Sequence, residues 1–182
     1  MNIVDTKIID VKRIDPLVYS DQRGYFFESF HQQNFEDGVG YSVQFVQDNH
    51  SSSTKGVLRG LHYQLPPYAQ GKLVRVVQGE VFDVAVDIRQ SSPTFGQWVG
   101  EVLSAENKRQ LWIPPGFAHG FITLSDSAEF LYKTTNYYCP EAERTIHWQD
   151  AEINIDWLIV GDPIVSSRDN SAASFNEAEL FV

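Results

Sequence analysis

From Gln44 to about Tyr138 the chain alternates short β-rich runs with turn residues: "VQFVQDN", "GVLRGLHYQ", "KLVRVVQGEVFDVAVDI", "WVGEVLS", "RQLWIPPG", "HGFITLS" and "AEFLYKTTNYY". Runs of this length, rich in Val, Ile, Phe and Tyr and bounded by Gly, Pro, Asn and Ser, predict strands, and their spacing predicts a sandwich or barrel. "KLVRVVQ" and "VFDVAVDI" meet at Gly79-Glu80, a hairpin signal because glycine admits the positive φ of tight turns. Helical periodicity is scarce: short helices are expected around "SFHQQNFEDG" and "NEAELFV". The chain shows no repeat, low-complexity tract or linker, and reads as one domain over residues 1–182.

Prolines and glycines fall between the runs, except for Gly60 inside "GVLRGLHYQ". In a regular strand Arg59 and His62 point to opposite sides, because side chains alternate between faces. If both serve one site, Gly60 marks a bulge that re-aims one of them.

A chain of 182 residues is long enough for one sizeable domain, burying roughly 70% of its unfolded surface. Fourteen basic against 24 acidic side chains give a formal charge of −10. That balance disfavours a nucleic-acid polymer or an anionic membrane as partner, although local arginines can still hold a small anion. No apolar run approaches the roughly 20 residues of a membrane-spanning helix. The single cysteine, Cys139, and a start without the pattern of a signal peptide lead to the expectation of a soluble, cytoplasmic protein.

Two local patterns resemble the signatures of cupins, small double-stranded β-helix (jelly-roll) barrels. Gly56 precedes His62, and Lys72 precedes Gly79, at the intervals of the first signature; Pro114, Gly116 and His119 complete the second. Gln64 stands where a metal cupin has its second histidine, and Lys72 where it has a glutamate. A protonated lysine has no lone pair to donate and repels a cation, so the expected barrel holds no metal.

The longer blocks "DQRGYFFESF", "FVQDNHSSSTKGVLRGLHYQLPPYAQGKLVRVVQGEVFDVAVDIRQSSPTFGQW", "LSAENKRQLWIPPGFAHGF" and "AEFLYKTTNYYCPEAERTI" make the chain similar, over nearly its whole length, to the dTDP-4-dehydrorhamnose 3,5-epimerases. The resemblance implies a mainly β cupin barrel with a few short helices, residues 140–182 packing on it, and a homodimer with exchanged N-terminal strands. It implies a substrate, a dTDP-4-keto-6-deoxy sugar, whose C4 ketone acidifies the hydrogens on C3 and C5. Such chemistry needs a base on one face of the ring, a proton donor on the other, and positive charge near the enolate oxygen.

The resemblance also assigns roles. His62 is the base, Asp169 fixes its tautomer, Lys72 stabilises the enolate, and Tyr132 donates the proton. Asp83, expected on the strand paired with that of Lys72, orients the lysine. Arg59 and His119 match positions that bind the diphosphate. Arg23, Phe26, Glu28, Gln47 and Asn49 match positions around the thymidine, Tyr138 an aromatic that stacks on the base, and Glu143 and Arg168 further substrate contacts. Four other readings stay open on sequence alone: epimerisation at C3 only, a 3,4-ketoisomerase, a metal-dependent cupin oxygenase, and a non-catalytic small-molecule-binding barrel.

Overall fold

Fourteen strands and two short helices make up the computed structural model, which describes residues 1–182. Four short strands come first, β1 (Asn2–Asp5), β2 (Lys12–Asp15), β3 (Val18–Asp21) and β4 (Gly24–Phe27), followed by α1 (Gln32–Val39). The longer strands are β5 (Gln47–Thr54), β6 (Val57–Gln64), β7 (Lys72–Gln78), β8 (Glu80–Asp87), β9 (Trp98–Ser104), β10 (Gln110–Ile113), β11 (Phe117–Thr123) and β12 (Ser127–Thr134). The remainder of the chain contributes β13 (Glu143–Thr145), β14 (Ile164–Val165) and α2 (Ser167–Asn170).

One six-stranded sheet has the order β1-β2-β10-β7-β12-β5, and the second runs β13-β6-β11-β8-β9 with β14 also on β6. The architecture is mainly β and cupin-like, with two facing sheets that are not hydrogen-bonded into a closed cylinder. The β3–β4 hairpin belongs to neither sheet and exposes Tyr19, Tyr25 and Phe26.

Period-2 alternation fills the space between the sheets. Val74 and Val76 of β7, Val81 and Ala85 of β8, Phe117 and Phe121 of β11, and Ala128 and Phe130 of β12 form one buried cluster. Across this interior Phe121 stacks on Phe130, one ring from each sheet, with centroids 4.3 Å apart and planes tilted by 15°. The outer face of the second sheet is covered by Ile146, Ile153, Trp157 and Phe175. On the outer face of the first sheet, Phe35 of α1 packs against Trp112 and Leu73. Helix α1, where "SFHQQNFEDG" was expected to coil, is capped by the His31 side chain, which accepts from Asn34 N–H, and ends at Gly40 with φ 86°.

Three expectations need correction. Strands β7 and β8 do not form a hairpin: β7 pairs with β10 and β12, β8 with β9 and β11, and Gly79 carries the chain from one sheet to the other. Asp83 therefore does not lie on a strand paired with that of Lys72; the two residues reach the interior from facing sheets. "NEAELFV" is not a helix, because Phe181 exchanges backbone hydrogen bonds with the chain leaving β8, donating to Ile88 O and accepting from Gln90 N–H. Its Leu180 and Phe181 are thereby laid against the second cluster.

Candidate active site

The site begins with the irregularity in β6. His62 pairs with His119 and Arg59 with Phe121, so three steps along β6 face two along β11. One extra residue is accommodated at Gly60, whose φ of 133° is outside the range comfortable for other residues. The bulge puts Leu58, Leu61 and Tyr63 together in the outer cluster and turns Arg59, His62 and Gln64 to the inner face. A Cβ at Gly60 would sit 2.6 Å from the Cα of Gly120, so only glycine fits this close approach.

The same irregularity opens the edge of β6. Strand β13 pairs with its His62–Gln64 end and β14 with Val57 and Leu58, leaving a gap between them. Asp169, in the first turn of α2 with its N–H capped by Ser166, fills that gap. Its Oδ2 accepts the Gly60 N–H at 3.3 Å and its Oδ1 lies 2.7 Å from His62 Nε2. Burial would push the Asp169 carboxyl up, but the hydrogen bond and charge of His62, with the Gly60 N–H, hold it below the usual carboxylate range. An ionised Asp169 fixes the proton on Nε2 and leaves the Nδ1 lone pair as the basic position.

Lys72 and Tyr132 continue the inward-facing rows of β7 and β12 beyond the apolar cluster, whereas Asp83 and His119 sit within it, between Val81 and Ala85 of β8 and between Phe117 and Phe121 of β11. Desolvation lowers the Lys72 ammonium to about 8, opposed by the negative charges of Asp83 and Glu143. Its Nζ donates to His62 O at 3.3 Å. Asp83 is fully buried; its Oδ2 is 2.9 Å from His119 Nε2, and its Oδ1 has no hydrogen-bond partner. Burial raises the Asp83 carboxyl and lowers the His119 imidazole, each against the pull of the other. His119 is thus an interior residue stacked beside Phe130 and held by Asp83. Burial also raises the Tyr132 phenol, Arg59 partly opposing it, so Tyr132 keeps its proton at neutral pH.

A cavity of about 320 Å³ is lined by His62, Gln64, Lys72, Tyr132, Gln47, Asn49, Tyr138 and Glu143, among others. His62 also borders a second cavity of about 340 Å³, with Arg59, Arg168 and Asp169 on its walls. Arg59 reaches across to β5, donating to Ser53 Oγ at 3.1 Å and Ser52 O at 3.2 Å. Glu143 Oε2 accepts from Tyr138 OH at 2.6 Å and from Arg168 at 2.7 Å. Burial would raise the Glu143 carboxyl, yet these two donors hold it low. No three His, Cys, Asp or Glu side chains converge to hold a metal ion.

Arg23, Phe26 and Glu28 are not brought to these cavities within one chain. Arg23 and Phe26 lie on the exposed β3–β4 hairpin around a separate cavity, Arg23 paired with Asp21, and Glu28 follows the hairpin, also exposed. Gln70 is a cavity residue that sequence reasoning missed, with no motif to flag it; Gln64 was flagged only as an altered metal-ligand position.

A family model described as dTDP-4-dehydrorhamnose 3,5-epimerase matches residues 5–177. The dTDP-4-dehydrorhamnose 3,5-epimerase of Shigella flexneri is 64% identical over 182 residues, all of both chains. The crystal structure of dTDP-6-deoxy-D-glucose-3,5-epimerase from Legionella pneumophila Philadelphia 1, in complex with dTDP-4-keto-L-rhamnose, superposes with a TM-score of 0.94 at 55% identity, covering 98% of this chain and 94% of that one. A 3'-monoepimerase from Streptomyces bikiniensis, in complex with dTDP-quinovose, is similar at a TM-score of 0.89 and 31% identity, covering 94% and 87%.

Proposed function

The chain belongs to the dTDP-4-dehydrorhamnose 3,5-epimerase family, and on that footing we propose that it inverts C3 and C5 of dTDP-4-dehydro-6-deoxy-D-glucose to give dTDP-4-dehydro-L-rhamnose. The observation that carries the assignment is the placement of His62 and Tyr132 on facing sheets around one cavity, with the buried Lys72 between them in sequence and on its wall.

His62 Nδ1 takes the proton from the carbon next to the ketone, and the imidazolium that forms is stabilised by Asp169. The electron pair moves into the C4 oxygen, whose charge Lys72 meets from a site with little water. Tyr132 returns a proton to the opposite face, inverting the carbon. Each inversion removes one proton and adds one, so the reaction balances without an oxidant, reductant or cofactor. Asp83 supports Lys72 through its charge, and His119 supports Asp83. Arg59 and Arg168 suit the diphosphate oxygens, since guanidinium forks match phosphate. Gln47, Asn49, Tyr138 and Glu143 receive the nucleoside.

We assign residues 1–182 to one domain acting in the cytoplasm as a homodimer. A second copy would supply Arg23 and Phe26, which sit on a hairpin exposing aromatic rings away from the His62 cavity, and Glu28, which follows that hairpin. A C3-only reaction is the second reading, because the monoepimerase from Streptomyces bikiniensis has the same fold.

Proton NMR of the dTDP-4-keto sugar in deuterated water tests both. Double epimerisation exchanges the hydrogens on C3 and C5; exchange at C3 alone selects the second reading. His62→Ala abolishes exchange at both carbons while the fold persists, and Tyr132→Phe retains exchange but loses inversion. Near-normal exchange in His62→Ala would remove that residue from the role of base.

A further inference from the structure

Tyr138 sits in the irregular segment between β12 and β13, is 52% exposed, and has no ladder partner on either side. What holds its backbone is side-chain amides. Gln64 Nε2 donates to Tyr137 O at 3.1 Å, and Gln64 Oε1 accepts the Cys139 N–H at 2.9 Å, so one amide holds the peptide groups on both sides of Tyr138. The second Nε2 hydrogen goes to Tyr68 O at 2.7 Å. Gln47 Oε1 accepts the Tyr138 N–H at 3.1 Å, and Gln70 Nε2 donates to Asn136 O at 2.8 Å.

Gln64 is 4% exposed, with every donor and one acceptor lone pair engaged. It is rooted two residues beyond His62 on β6, the strand fixed by the Gly60 bulge. We infer that Gln64 is a positioning residue for nucleotide binding: it transmits the rigid geometry of β6 to the Tyr138 loop and sets the ring of Tyr138 to receive the base. The inference rests on the proposed thymidine-diphosphate substrate and extends it to a residue that makes its effect through another. The position where a metal cupin carries a ligating histidine is here committed to bracing a loop. A neutral amide suits the task because the loop offers both carbonyls and an N–H. A carboxylate there would face two carbonyl oxygens without a donor, and an aliphatic side chain would leave all three backbone groups unmatched.

A double-mutant cycle separates this role from a general contribution to the fold. The probe is dTDP, its Kd measured by calorimetry for the unaltered chain, Gln64→Leu, Tyr138→Ala and the double variant. Gln64→Leu is expected to weaken dTDP about tenfold when Tyr138 is present and to leave Kd within about twofold in the Tyr138→Ala background. KM for the sugar nucleotide rises in parallel, and kcat falls much less. Gln64→Asn, whose amide ends one methylene short of the loop, gives the same comparison with a smaller perturbation of the interior. Hydrogen exchange without ligand adds an independent reading: the Cys139 amide exchanges faster in either Gln64 variant, and the Leu61 amide does not. Equal weakening in both Tyr138 backgrounds, unchanged dTDP affinity in Gln64→Leu, or unchanged Cys139 exchange would overturn the inference. Failure of the unaltered chain to bind dTDP would instead remove the proposed substrate, and the nucleotide role of Gln64 with it.

Discussion

An ammonium group enclosed between two sheets costs free energy that a surface lysine does not, and burial has drawn Lys72 down to about 8. Below that pH the group is charged and can stabilise an enolate; as pH rises through about 8 it becomes neutral and the stabilisation is lost. A kcat–pH profile is therefore expected to fall on its alkaline side near pH 8, and Lys72→Arg, which stays charged, should lose that limb whatever activity it retains. The same cost appears in stability. The unfolded chain holds this proton up to about 10.5, the folded chain only to about 8, so between those values the unfolded state binds more protons and stability rises with pH. At pH 7 the full penalty applies. Lys72→Met, which fills similar volume without charge, is expected to abolish turnover and to raise unfolding stability by about 1–3 kcal/mol in a denaturant titration. A loss of stability would show that the Asp83 charge depends on Lys72 more than on His119.

Along β6 the sequence posed the right question and withheld the answer. Glycine in a strand signalled a bulge, but only the register against β11 shows that Arg59 and His62 share a face. The partnership of His62 with Asp169 spans 107 positions and comes from α2 docking in the gap between β13 and β14; no local pattern encodes it, and resemblance alone suggested it. Gly79 misled for a physical reason. A positive φ of 74° serves a hairpin and a crossing between sheets equally well, so turn chemistry could not say which neighbours β7 and β8 would choose. The strands before residue 44 are four residues each and carry charged or polar positions, too short to show a period. The terminal "NEAELFV" has helix-forming residues whose backbone is claimed by the chain after β8.

At the level of the assembled protein, the exposed hairpin gives the proposed dimer a functional test. If Arg23 of one copy serves the cavity of another, Arg23→Ala and His62→Ala each lose activity as pure proteins. Co-refolding an equal mixture then restores about a quarter of the original activity, because half the dimers are mixed and each holds one complete site. No recovery at a measured dimer mass would place Arg23 outside the partner's site. The fold was legible at the level of class, since many short β runs with turn residues between them specify facing sheets. The proposed division of labour between copies was suggested by resemblance alone, because a single chain's pattern says nothing about which surface meets a second one.

The stacked Phe121 and Phe130 rings lie well inside the molecule, yet they join the sheet carrying His62 to the sheet carrying Tyr132. Their thickness works as a spacer, and what it spaces is the proposed proton acceptor, His62, from the proposed proton donor, Tyr132. Stereochemical outcome then becomes a property of core packing. Phe130→Leu, which thins the spacer without touching substrate, is expected to change the ratio of deuterium incorporated at C3 to that at C5 in the NMR assay, and an unchanged ratio would show that the gap is set elsewhere. With a changed ratio, selection for one product over another acts on residues that no substrate ever meets.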